Sequence, residues 1–357
     1  METKILKIDA EKEEFTPLEE QALQEAGEII KSGGLVAFPT ETVYGLGGDG
    51  LNKESSRKIY AAKGRPSDNP LIIHIANMEA LDYIVEEVTQ EAQKIARAFW
   101  PGPLTMILRK SENVPEETTG GLQTVAVRMP SNKVACKLIE YGGGYIAAPS
   151  ANLSGRPSPT VAKYVVEDMN GRIDMIIDGG EVGIGLESTI IDLTVTPPQI
   201  LRPGYITQAM LNEVLGNVDV DKTILDDKTG QAPKAPGMKY RHYAPKGELT
   251  IVAGESPQVV DYINRMTAEM MQMGKKVGVI ASLENLEKYG AEIVKSAGSR
   301  EDEEAVAHNL YRILREFDDE GAEIIFSEAF ADGTLGQAIM NRLLKAAGHK
   351  MVKLDNI

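Results

Sequence analysis

The sequence predicts an α/β protein of two domains, and three observations carry that expectation. The chain has 357 residues, too many for one ordinary hydrophobic core and enough for two. Beyond residue 246 strands and helices alternate at the lengths of βαβ units, which predicts a small three-layer domain with a mainly parallel sheet. Before residue 217 several strands follow one another with no helix between them, so that sheet is expected to be mixed. Residues 217–246 join the halves. They include Pro233, Pro236 and Pro245, and a stretch, 234–246, in which Lys234, Lys239, Arg241 and Lys246 stand without an acid. Composition allows that stretch to be a solvated linker. The expected boundaries are 1–216, 217–246 and 247–357.

The first domain opens with a helix whose start is written into the chain. Thr16 is its N-cap, Pro17 lies in the first turn and Glu19 completes a capping box. Ala22, Leu23, Ala26, Ile29 and Ile30 give the apolar side, and "SGG" stops it. Strands then read at "LVAFPT", "LIIHIA", "LTMILR", "TVAVRMP", "YIAAPS", "DMIIDGG", "STIIDLT" and "QILRPG". Each ends in small or polar residues, and a cleft lined by strand ends is where open α/β sheets hold ligands. In the second domain "LTIVAG", "KVGVIA", "AEIVKSA" and "AEIIFSE" read as strands, with helices near 256–273, 301–319 and 335–347. No catalytic constellation is legible in that half.

Composition excludes several classes. Apolar residues at 42% and charged residues at 25% describe a folded soluble protein. A net charge of −15 disfavours a broad grip on nucleic acid. No apolar run approaches the ~20 residues of a bilayer helix, and "METKILKIDAEKEEF" is too charged for a signal peptide. The lone Cys136 cannot form an internal disulfide, and "SNKVACKLIE" makes it a core position rather than a nucleophile. The cytoplasm is the expected compartment.

The chemistry concentrates in the first half. "FPTETVYGLG" leaves an apolar strand through a proline and sets Thr40, Glu41, Thr42 and Tyr44 before closely spaced glycines, a hydroxyl-rich loop with bare backbone. Gly45, Gly47 and Gly50 match a dinucleotide-binding spacing, with Asp68 beyond. The context is wrong, because "ETVY" separates the strand from the glycines and the next helical pattern starts only near Glu54. No Walker A loop exists, so a triphosphate needs side chains and another backbone nest. In "AKGRPSDNPLIIH", Lys63 and Arg65 sit two apart, just after a helix and before Pro66, so that both cations can point from one loop into the cleft, with Asn69 and His74 following. The cations fit either a phosphate site or a solvated helix end, and His74 fits either a ligand or a buried strand. "PSANLSGRPSPT" crowds Ser150, Asn152, Ser154 and Ser158, either a plain turn or an anion cradle. Thr124 and Arg128 lie in "QTVAVRMP", Ser188 in "LESTIIDL" and Arg202 in "ILRPG". An arginine in an apolar strand requires an anionic partner.

These motifs, taken in order with "WPGPLT" and "APGMKYRHYAP", closely resemble the threonylcarbamoyl-AMP synthase family in its two-domain form. The resemblance runs from about residue 15 to the C-terminus. It implies a YrdC-like domain with a twisted mixed sheet, then a linker and a smaller Rossmann-like domain. It implies a reaction of L-threonine, bicarbonate and ATP to threonylcarbamoyl-adenylate and pyrophosphate. That product feeds the machinery that places threonylcarbamoyladenosine beside the anticodon of tRNAs reading codons that begin with A. By analogy with the family, Thr42, His74, Arg128, the backbone of Ala148 and Ser188 hold threonine. Lys63, Arg65, Asn69, Thr124, Ser150, Asn152, Ser158 and Arg202 surround ATP, with Lys63 and Arg65 catalytic and Tyr240 closing over the nucleotide from a lid formed by the linker. Magnesium is expected with ATP, its protein ligands unassigned. Two alternatives are a carbamoyl-adenylate enzyme with another acceptor and a tRNA-binding module; little direct contact with nucleic acid is expected.

Overall fold

The structure, a computed structural model, describes residues 2–10, 12, 14–221, 243–331 and 333–354. The proposed lid residues Lys234, Lys239, Tyr240 and Arg241 lie outside the described residues. The chain divides into two compact units. Residues up to 221 form the first, except 155–157 and 184–186, which group with the residues from 243 onward.

In the first unit the helix Pro17–Lys31 starts as written, with the Thr16 side chain accepting from the Glu19 backbone and the reciprocal Glu19 contact present. Among the described residues, eleven strands form one mixed sheet. In spatial order they are Lys4–Lys7, Met175–Asp178, Val36–Phe38, Gly45–Asp49, Ile146–Ala147, Ile72–His74, Thr124–Arg128, Leu104–Arg109, Thr189–Asp192, Gln199–Arg202 and Asp219–Val220. Apolar residues pack both faces: Leu23, Ala26 and Ile30 with Val36, Phe38 and Leu138 in one cluster, and Tyr44, Leu46 and Ile59 with Val165 in another.

One element departs from expectation. The glycine-rich run after the hydroxyl loop is a strand, Gly45–Asp49, antiparallel to Val36–Phe38. A Cβ at Gly47 would stand 2.8 Å from both Ile146 Cγ2 and Phe38 Cε1. The glycines therefore let neighbouring side chains close over the strand, and they do not bare a backbone for ligand.

Among the described residues the second unit carries five parallel strands in the order Ile293–Gly298, Val277–Ser282, Ile324–Glu328, Glu248–Ala253, Met351–Lys353. The helices Ser256–Gln272, Glu303–Glu320 and Gly336–Ala346 alternate with them. Glu328, fully buried at a strand end, accepts from the Ser282 amide, the Asn285 side chain and the Tyr289 hydroxyl, and pairs with Arg300. A buried carboxylate so well supplied with donors is a structural knot.

Candidate active site

The apolar strand Thr124–Arg128 ends in a buried arginine, 4% exposed. Arg128 pairs in register with His74 on one side and Thr105 on the other. Paired residues share a face, so three polar side chains form a row across three strands. Two residues along the same face the floor is apolar: Ile72, Ala126 and Ile107 cluster with Ile190 and Leu201. The polar groups thus lie on a sheet face and not only in a cleft at strand ends. The reason is the mixed sheet, in which neighbouring strands begin and end at the same edge.

The loop after Phe38 reaches this row because its hydroxyls tie it down. Thr40 Oγ1 donates to the Val43 carbonyl at 2.6 Å, lies 2.9 Å from Thr42 Oγ1 and accepts from the amides of Thr42 and Val43. Thr42 Oγ1 then accepts from Arg128 Nη1 at 2.8 Å. Arg128 Nη2 stands 2.7 Å from Glu41 Oε1, an ion pair by distance. The angles miss those of a hydrogen bond, so Arg128 Nε and Nη2 and both Glu41 oxygens are buried without an aligned partner among the described residues. That pairing is Coulombic, with its hydrogen-bonding capacity unspent.

His74 is buried with Nδ1 3.1 Å from the Ile72 carbonyl. A carbonyl only accepts, so Nδ1 carries the proton in the neutral ring. Burial, and then the Arg128 charge, hold its pKa down at about 3. The Ala148 amide donates to the same Ile72 carbonyl at 2.9 Å. Ser188 Oγ meets Thr105 Oγ1 at 2.7 Å, while Arg202 donates through Nε to the Ser188 carbonyl at 3.0 Å and through Nη2 to its hydroxyl at 3.1 Å.

Lys63 is the last residue of the helix Lys53–Lys63 and is buried, not a solvated helix end. Its Nζ donates to the carbonyls of Ser150 and Asn152, both at 2.5 Å. Ser150 Oγ donates to Asn152 Oδ1 at 2.5 Å, so the serine/asparagine turn is drawn onto the lysine. Arg65, half-buried, folds back onto the carbonyls of Asn69 and Pro70 at 3.1–3.3 Å. The two cations therefore face different carbonyls and do not share one loop. Asn69 is 1% exposed and neither polar atom of its side chain has a partner among the described residues, an arrangement that points to a ligand. Ser158 donates to buried Glu187 at 2.6 Å. Thr124 stands apart, at the start of the strand that Arg128 ends, about 13 Å away by strand rise.

Thr105 and Glu187 escaped the sequence reading as site residues, and Glu41, noted on the hydroxyl-rich loop, was given no role. Each sits inside a quoted motif, and the usable signal was a polar residue beside a strand otherwise built of apolar ones. Cys136 is also corrected: it is half-buried rather than core, its thiol donates to the Pro130 carbonyl, and burial pushes its pKa up to about 11. Among the described residues no helix is long and apolar enough to cross a membrane.

A twisted mixed sheet carrying this polar face, followed by a parallel α/β unit, defines a two-domain class with known members. Residues 28–204 match the family model of Sua5, YciO and YrdC proteins, described as "Telomere recombination", and residues 206–348 match the one described as "Threonylcarbamoyl-AMP synthase, C-terminal domain". The threonylcarbamoyl-AMP synthase of Pyrococcus abyssi is 48% identical over 94% of this chain and 97% of its own length. That of Bacillus subtilis is 46% identical over 93% and 94%. A crystal structure of the Pyrococcus abyssi protein complexed with L-threonine superposes with a TM-score of 0.92 at 47% identity, covering 99% of this chain and all of that one. The chain belongs to the threonylcarbamoyl-AMP synthase family, in its two-domain form.

Proposed function

We propose that this chain converts L-threonine, bicarbonate and ATP into threonylcarbamoyl-adenylate, pyrophosphate and water. The observation that carries the reading is Arg128. Its Nε and Nη2 are the two donors that grip a carboxylate side-on, and both are buried without an aligned acceptor. Leaving such donors unaligned is costly, and Glu41 balances the charge without filling them, so the site suits a carboxylate that takes both. The threonine carboxylate fits that place, with the hydroxyls of Thr42 and Ser188, neutral His74 and the Ala148 backbone around the rest of the molecule.

Lys63, Arg65, Asn69, Thr124, Ser150, Asn152, Ser158 and Arg202 are assigned to ATP, and Tyr240 to covering it. The threonine amine, once it has lost a proton, attacks the bicarbonate carbon and water leaves, giving a carbamate whose oxygen attacks the α-phosphorus while pyrophosphate leaves. No side-chain nucleophile is needed. Lys63 and Arg65 act by orienting the reactants and neutralising charge that develops on them. Among the described residues no group of three or more His, Cys, Asp or Glu is placed to hold a metal. Magnesium is assigned to the phosphates of ATP, the usual place for it on a nucleoside triphosphate. The adenylate is then consumed by the enzymes that modify tRNA beside the anticodon.

The test is pyrophosphate release from ATP and bicarbonate, scanned across the amino acids. Strict dependence on threonine is expected. Release that ignores the amino acid, or tight tRNA binding with no turnover of ATP, would overturn the reading.

A further inference from the structure

We propose that Glu41 is the second half of the amino-acid pocket and binds the α-ammonium of the substrate. This rests on the assignment of the substrate carboxylate to Arg128. In any α-amino acid the amine nitrogen lies only about 2.5 Å from the carboxylate carbon. A carboxylate seated on Nε and Nη2 of Arg128 therefore delivers its amine beside Glu41, whose Oε1 is 2.7 Å from Nη2.

Three features make Glu41 a receptor and not a simple counter-ion. Both its oxygens are buried without an aligned donor, whereas an ammonium brings three. It sits on the short tied loop between Thr40 and Thr42, so its position is set by the same hydroxyl network that places Thr42 on Arg128. Its approach to Nη2 is off the N–H directions, so the hydrogens of Nε and Nη2 are not spent on it. A zwitterion is neutral overall but must shed water from both ends, and adjacent opposite charges compensate both. The pocket should therefore select α-amino acids against α-hydroxy acids of the same shape. The carbamate formed later carries no ammonium, so Glu41 favours the incoming amino acid over the intermediate.

The experiment titrates L-threonine, without ATP, into the full-length protein and its Glu41→Gln, Glu41→Asp and Arg128→Gln variants by calorimetry. The analogue 2,3-dihydroxybutyrate, with hydroxyl in place of amine, is the second probe. Glu41→Gln should weaken threonine by about tenfold to a hundredfold, the range of one charge-assisted hydrogen bond, while leaving the analogue unchanged or tighter. Glu41→Asp keeps the charge and should lose only part; it carries the test if Glu41→Gln melts early by circular dichroism. Threonine binding as tight or tighter in Glu41→Gln would show Glu41 to be a competitor for the fork and would sink the proposal. Unchanged threonine binding in Arg128→Gln would instead remove the carboxylate assignment beneath it.

Discussion

Replacing Arg128 by Met tests whether the pair at the centre of the site is electrostatic in the way its geometry implies. The side chains of Arg128 and Glu41 are 5% and 14% exposed, so solvent screens neither charge well. Removing the guanidinium strands the carboxylate, and breaking a buried pair in this way costs about 3–5 kcal/mol. Thr42 loses its donor as well. Because the pair is not an aligned hydrogen bond, the cost comes from the stranded charge, and deleting that charge should recover most of it. The double variant Glu41→Gln/Arg128→Met is therefore expected within about 1–2 kcal/mol of the parent. Urea unfolding followed by tryptophan fluorescence reads the right unit. The chain has one tryptophan, Trp100, buried in the first unit with its indole N–H on the Leu104 carbonyl at 2.7 Å. A loss below 1 kcal/mol in the single variant, or a double variant no better than the single, would refute the reasoning.

The two cations should separate in their side effects. Arg65→Ala and Lys63→Met should each lower turnover by on the order of a hundredfold. Only Lys63→Met should also cost about 1–3 kcal/mol of stability, since it strands the Ser150 and Asn152 carbonyls; near-normal pyrophosphate release from both would remove the assignment. A pocket that hydrogen-bonds the threonine hydroxyl should reject valine strongly and serine only by roughly tenfold, and initial rates with the two show it wrong if valine equals serine. The folded His74 pKa of about 3 lies below its unfolded value, so the unfolded state binds the proton first. Stability from His74 is then complete above about pH 6.5 and is lost as pH falls towards 3, by about 1.4 kcal/mol per pH unit in between. His74→Asn should flatten that part of a pH series of urea midpoints, and an unchanged slope would contradict a buried neutral ring.

Local signals were the legible ones. The capping box at Thr16 and Glu19, the second unit's strands, and the need of Arg128 for an anion all follow from neighbours in the chain or from the cost of burying one group. What local pattern cannot show is which strands meet. Nothing in "KILK" announces a ladder with residues 175–178, because that choice is made by closing an apolar layer far along the chain. "GLGGD" lacks every strand-favouring residue except one leucine, and it is a strand because Phe38 and Ile146 need its missing side chains. Glu41 was in plain view, but its role depends on a guanidinium 87 positions later. Thr105 and Glu187 likewise gain meaning only beside Ser188 and Ser158.

The pairing of Lys4–Lys7 with Met175–Asp178 has a consequence for the chain as it is made. A ribosome adds about 5–20 residues per second, so the first strand waits roughly 9 to 35 s before its partner exists. During that interval Val36–Phe38 can already pair with Gly45–Asp49, while the outermost strand has nothing to join. An idle strand is an invitation to other nascent chains. This one is four residues long and carries an exposed lysine at each end, the means by which an unpaired edge discourages foreign partners. Lys4 and Lys7 thus put charge at both ends of a strand that has to wait for its place in the sheet.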